Sequence, residues 1–178
     1  MEPLDTKLII FTKTKTSSKI TTNYLMTHQS KRIKFSLKSI TIPFGFEKFN
    51  GHTILNAEIN TKKNNDSHNI HATIAGFEEE IKNIRDKSSC PKDLKNNILG
   101  KGYYPNMRES EFGYIVRMHV IGSPKIYAMI NGGEITMTNN DIKKTIANVE
   151  MELGILWITD NNYGYLWYLK EIQILSSF

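Results

Sequence analysis

The stretch that most constrains the fold is residues 152–175, ELGILWITDNNYGYLWYLKEIQIL, where two runs rich in aromatic and β-branched residues flank an Asn-Asn turn signal. That pattern is a β-hairpin. Successive strand side chains alternate, so its charged residues set its faces. In the last strand Glu171 and Gln173 are expected outward and Ile172 and Ile174 inward. Tyr163, Tyr165 and Trp167 then face out, and Leu166 and Tyr168 face in, with Lys170 the one discordant member. In the preceding strand Glu150 and Glu152 face out, leaving Val149, Met151, Leu153, Ile155 and Trp157 inward. An even loop, either Asn161-Asn162 or four residues, keeps the two inward sets opposite one another. Both loops put Tyr163, Tyr165, Trp167, Leu156 and Ile158 on an outer surface beside Gly154. A contiguous apolar patch of this kind calls for a partner: another part of the chain, a second protein, or unstacked nucleotide bases.

Upstream, Ile33, Phe35 and Leu37 alternate with Lys34, Ser36 and Lys38, which predicts a half-buried strand running to Pro43. Asn50-Gly51 predicts a turn before a strand over about 53–59. Ile74, Phe77, Ile81 and Ile84 fall at helical spacing, so residues 73–86 read as the one clear helix. Three strands follow, GYIVRMHVI, KIYAMI and EITMT, joined by Gly122-Ser123-Pro124 and Asn131-Gly132-Gly133. Residues 139–149 suggest one or two helical turns. A chain of 178 residues suits one core, so the expectation is a single mainly β domain over 1–178. Residues 12–31 read as a basic arm, and 88–111 as a long loop with room for a short helix near 93–99.

Charge narrows the function classes. The net charge of +5 is segregated: residues 1–63 hold 11 Lys/Arg against 4 Asp/Glu, and the other 115 hold 12 against 14. That distribution favours a polyanionic partner. No apolar run spans a membrane and no basic leader precedes an apolar segment, so the chain reads as soluble and intracellular, without membrane association. Cys90 is the only cysteine, which excludes an internal disulfide and a cysteine zinc cage. His68 and His71 lack partners that would complete a metal site, and Glu78, Glu79 and Glu80 read as solvated helix surface. No phosphate-cradle, dinucleotide or nucleophile-elbow motif occurs, so neither cofactor, metal nor enzymatic activity is expected.

ITIPFGFEKFNGHTILNAEI and ELGILWITDNNYGYLWYLKEIQI, together about a quarter of the chain, resemble the OB-fold single-stranded DNA-binding proteins of large nucleo-cytoplasmic DNA viruses. That group is similar to the single-stranded DNA-binding protein of certain podophages. The resemblance implies an OB-like barrel of antiparallel strands closed by the C-terminal hairpin. It also implies a role in viral DNA replication or recombination, in the replication compartment of the host cytoplasm or nucleus. Replication proteins and a second copy of the chain become expected partners. The podophage proteins end in an acidic tail with a terminal aromatic residue, whereas this chain ends in Leu-Ser-Ser-Phe178 with no acidic run. Basic residues would hold phosphates and aromatic residues would stack bases, on RNA as on DNA. The candidate contacts are Lys13, Lys15, Lys19, Lys31, Arg32, Lys34, Lys38, Lys101, Tyr103, Tyr104, Arg108, Tyr163, Tyr165 and Trp167. The rival reading is a structural or assembly protein, such as a β-sandwich capsid or scaffold component, whose outward aromatic hairpin is a protein interface.

Overall fold

The computed structural model describes residues 9–14, 22–62 and 65–177. One sheet contains eleven strands: β1 (Ile9–Thr14), β2 (Thr22–His28), β3 (Lys34–Ile42), β4 (Phe46–Phe49), β5 (His52–Ile59), β6 (Gly102–Tyr103), β7 (Met107–Ser110), β8 (Gly113–Ile130), β9 (Gly133–Thr136), β10 (Thr145–Ile158) and β11 (Asn162–Ser177). Helix α1 (Asn65–Lys82), a 3-10 turn (Ile84–Asp86) and helix α2 (Lys92–Ile98) lie between β5 and β6. None of the described helices is long and apolar enough to cross a membrane.

Five strands form a closed ring. β3 pairs with β5, β5 with β8, β8 with β11, β11 with β10, and β10 returns to β3. This is a mainly β, OB-like barrel, with one departure from the antiparallel set expected: β8 and β11 run parallel, from Trp167↔Met118 to Ile174↔Ala128. A parallel joint needs a long crossover, which β9 and β10 supply. The β3–β5 joint has a single rung, Thr41↔Glu58, and α1 packs against both of these strands. Its apolar stripe, Ile74, Phe77 and Ile81, is buried. Phe77 meets the rings of Tyr165, Trp167 and Phe35 at 5.2, 5.6 and 6.2 Å, and Phe35 meets Trp167 edge-on at 5.0 Å. Each such aromatic pair adds about 0.5–1.5 kcal/mol beyond area burial.

These contacts overturn the face assignment of the closing hairpin. Glu150 pairs with Glu171 but Met151 pairs with Leu169, so Lys170 is an extra residue, a β-bulge. A second shift lies between Leu153↔Trp167 and Leu156↔Tyr165, where β10 carries the extra residue. Each insertion reverses the side-chain phase. Inward positions are therefore Tyr163, Tyr165, Trp167 and Leu169 before Lys170, and Ile172 and Ile174 after it. Tyr163, Tyr165 and Trp167, expected on the outside, are only 5 %, 2 % and 0 % exposed. Leu156 and Ile158 are likewise buried, whereas Ile155, Trp157, Leu166 and Tyr168 turn partly outward. The loop is even, as expected, but it consists of Asp160-Asn161: Thr159 N–H donates to Asn162 O at 2.8 Å.

Other elements also differ from the reading of the chain alone. The described part of residues 12–31 is sheet: β1 pairs with β2, and β2 extends the barrel along Ile155–Ile158 of β10. The polar look of this segment hides two buried anchors, Tyr24 and Met26, which join Phe11 just before it. Residues 88–111 hold the expected short helix as α2 and, beyond that expectation, the strands β6 and β7; Tyr24 OH donates to Asp93 of α2 at 2.8 Å. Gly122-Ser123-Pro124 is a bulge inside one long β8, because β11 runs alongside both of its halves. Residues 139–144 form turns rather than a helix.

Candidate nucleic-acid interface

The outward face of β5 and β8 bears a groove of about 530 Å³. Register explains its floor. Asn56 pairs with Arg117, Ile54 with His119, and Phe49 with His52, so these side chains share one face of the sheet. Asn50 and Gly51, both at positive φ, make the two-residue turn that carries Phe49 to the groove's edge. The opposite wall consists of Tyr104 and Arg108, from the segment around β6 and β7, and Trp157 from β10.

Aromatic rings and guanidinium groups lie against one another in this groove. Arg117 Cζ lies 4.0 Å from the Phe49 ring centroid, and its Nε donates to Asn56 Oδ1 at 3.4 Å. Asn56 in turn donates to Glu47 at 2.7 Å. Arg108 lies 4.9 Å over the Tyr104 ring and also donates to its hydroxyl. The Tyr104 and Trp157 rings are 6.0 Å apart. Phe49 is 36 % exposed and Tyr104 42 %, so both present ring surface to solvent. Among the described residues neither Arg108 nor Arg117 has a carboxylate in ion-pairing range. Burial, then the charge of Arg108, lowers the Arg117 pKa; burial, then His52 and Arg117, lowers that of His119.

A buried carboxylate fixes the wall. Glu78 Oε1 accepts hydrogen bonds from Asn106 N at 2.8 Å, Met107 N at 2.7 Å and Tyr165 OH at 3.1 Å. Burial pushes its pKa up, against the pull of those three donors. The solvated role expected for Glu78 is therefore corrected: it shares the helical stripe of Ile74 and Ile81, which faces the sheet. The Lys101 ammonium donates to the carbonyls of Thr159 and Asp160, strapping the wall to the β10–β11 turn. Gly164 permits the close fit, since a Cβ there would lie 2.8 Å from both the Trp157 ring and Tyr104 O.

Of the candidate contacts, Tyr104 and Arg108 line the groove, and Tyr165 reaches it only as buried floor. Tyr163 and Trp167 belong to the core. Tyr163 OH donates to Lys82 O at 2.6 Å, and Tyr103 packs half-buried 5.6 Å from the Tyr163 ring. Lys101 is engaged as described above rather than free for phosphate. Lys34 pairs with Glu150 at 2.8 Å and Arg32 with Glu152 at 3.8 Å, on the β3–β10 side of the barrel. Lys13, Lys31 and Lys38 are exposed and line no part of the groove. Lys15, Lys19 and Phe178 lie outside the described residues.

Sequence reasoning missed Phe49, His52, Asn56, Arg117, His119 and Trp157 as a group. The local signal existed for Arg117 and His119, polar residues alternating with apolar ones in GYIVRMHVI. Nothing local places them beside Phe49. Among the described residues no group of three His, Cys, Asp or Glu is placed to hold a metal ion.

No protein-family model matches the chain, and no curated protein matches it. Among solved structures it is similar to the single-stranded DNA-binding protein from bacteriophage Enc34, with a TM-score of 0.48 and 10 % identity over 93 % of this chain and 89 % of that one. A C-terminal truncation of that phage protein gives 0.48 and 11 %, covering 94 % and 96 %. The same protein in complex with ssDNA gives 0.45 and 12 %, covering 94 % and 96 %.

Proposed function

We propose that this protein binds single-stranded DNA in the groove over β5 and β8, without sequence selectivity and without catalysing a reaction. The observation that carries the reading is one open groove lined by Phe49, Tyr104 and Trp157 together with Arg117 and Arg108, each guanidinium lying over a ring, with both arginines free of carboxylate partners among the described residues. Exposed rings stack bases of any identity, and guanidinium forks hold phosphates. The groove's position adds support. In OB barrels the second and third strands, with the loops joining first to second and fourth to fifth, bind oligonucleotides; the corresponding parts here are β5, β8, the turn after Phe49 and the turn after Ile158. The physiological setting we infer is the covering of transient single strands during viral DNA replication or recombination. The rival interface reading loses its premise, because Tyr163, Tyr165 and Trp167 are buried.

The test is binding of a labelled poly-dT oligonucleotide against duplex of equal length, for wild type, Phe49→Ala, Trp157→Ala and Trp167→Ala. Stacking contributes about 1–3 kcal/mol per base, so the first two substitutions are expected to weaken single-strand binding about 5- to 150-fold with the fold intact. Trp167→Ala is expected instead to cost about 3–5 kcal/mol of folding stability, read by urea denaturation. Equal affinity for duplex and single strand, unmoved by Phe49→Ala and Trp157→Ala, sinks the proposal.

A further inference from the structure

We propose that His52, His119 and Arg117 form a seat for one backbone phosphate of the bound strand, and that filling this seat draws a proton onto the histidine pair. The inference rests on the single-strand reading of the groove and adds a proton linkage to it. His119 sits opposite Ile54 on the neighbouring strand, which makes His52 its diagonal neighbour on the same outward face. The two rings are 5.9 Å apart at 57°. Arg117 stands two residues before His119 on that face. Its Nε is committed to Asn56 and one face of its guanidinium to Phe49, while no partner holds its terminal amino groups among the described residues.

The charges around the pair come from every neighbouring strand. β4 contributes Glu47, which accepts from Asn56, whereas Lys48, bound to Thr53, lies on the other face of the sheet. β7 contributes Arg108, engaged with Tyr104. On the β11 side the partner of His119 is Tyr168, whose ring lies against Gly154. The balance on this face is one carboxylate against two arginines and two imidazoles. Burial, His52 and Arg117 all oppose protonation of His119 in the empty groove. A phosphodiester placed between the rings and the free edge of Arg117 reverses the sign of that local field and stabilises a cationic imidazole. Affinity must then rise as pH falls, because the complex binds more protons than the free components.

The experiment measures binding of poly-dT carrying a pH-insensitive rhodamine label, at constant ionic strength, from about pH 8 to about pH 5.5, a range in which thymine does not titrate. Wild type is expected to gain about three- to tenfold in affinity per pH unit around the ordinary histidine pKa of about 6.5. Calorimetry of wild type in two buffers of different ionisation enthalpy is expected to show uptake of up to about one proton per seat, a readout that needs no variant. The double variant His52→Gln, His119→Gln is expected to bind with a flat pH profile. A flat wild-type profile, or a slope that survives the double variant, overturns the phosphate seat and leaves single-strand binding standing. Absence of single-strand binding at every pH overturns the single-strand reading and the seat with it.

Discussion

Glu78 is where one side chain decides how firmly the groove wall stands. All three of its hydrogen bonds fall on Oε1, so an isosteric amide keeps an acceptor at that point while removing the charge. Burial raises the folded pKa above that of the unfolded chain. The sign follows: the folded state holds this proton more tightly, so the contribution of Glu78 is full below the ordinary carboxylate range and is lost as pH rises through the raised value. Melting temperature measured from about pH 4 to about pH 8 is expected to fall along that limb for wild type and to be flatter for Glu78→Gln. Parallel curves would show that Glu78 does not titrate in the native protein. The helical spacing of Ile74, Phe77 and Ile81 was legible in the sequence, and Glu78 stood in the same stripe. Its role was not legible, because the donors it meets come from residues 106, 107 and 165.

At the scale of the element, the closing hairpin turns on Lys170. The alternation on either side of it was visible in the sequence, and so was its discordance. The bulge was not, because an extra residue exists only relative to the partner strand. Deleting Lys170 forces one segment of β11 to exchange faces, turning either Tyr165 and Trp167 or Ile172 and Ile174 toward water. Each fully buried apolar side chain contributes about 1.5–3 kcal/mol, and whole domains are stable by only about 5–15 kcal/mol. The deletion is therefore expected to abolish cooperative unfolding, read by near-ultraviolet circular dichroism and a urea titration. Lys170→Ala, which keeps the bulge and loses only a 4.0 Å contact to Glu152, is expected to cost less than about 1 kcal/mol. A folded deletion variant would mean that β11 tolerates a change of register.

For the whole molecule, the question is whether net charge or the groove sets affinity for a polyanion. Arg32, Lys34, Lys82, Lys87 and Lys125 each have a carboxylate partner, so part of the basic surface is already neutralised. If Arg108 and Arg117 each hold one phosphate, log affinity at about pH 8 should fall with log salt at a slope of about −1.4, and Arg108→Ala should reduce that slope by about 0.7. A steep slope that Arg108→Ala leaves unchanged would assign binding to diffuse surface charge instead.

Single-sequence reading determined the parts that depend on near neighbours: the strand periodicity of β3, the strand β5 after its turn, the Asn50-Gly51 and Asn131-Gly132 turns at positive φ, the apolar stripe of α1, and a mainly β class. A turn or a strand period is written within a few residues, where backbone sterics and burial act locally. Tertiary structure alone decided which face of the hairpin is core and which residues share the groove. Phe49, Tyr104, Arg117 and Trp157 are brought together by barrel closure, and the two bulges that aim their neighbours arise only once strands are paired. Both depend on contacts between residues far apart in the chain, for which a local stretch of sequence carries no signature.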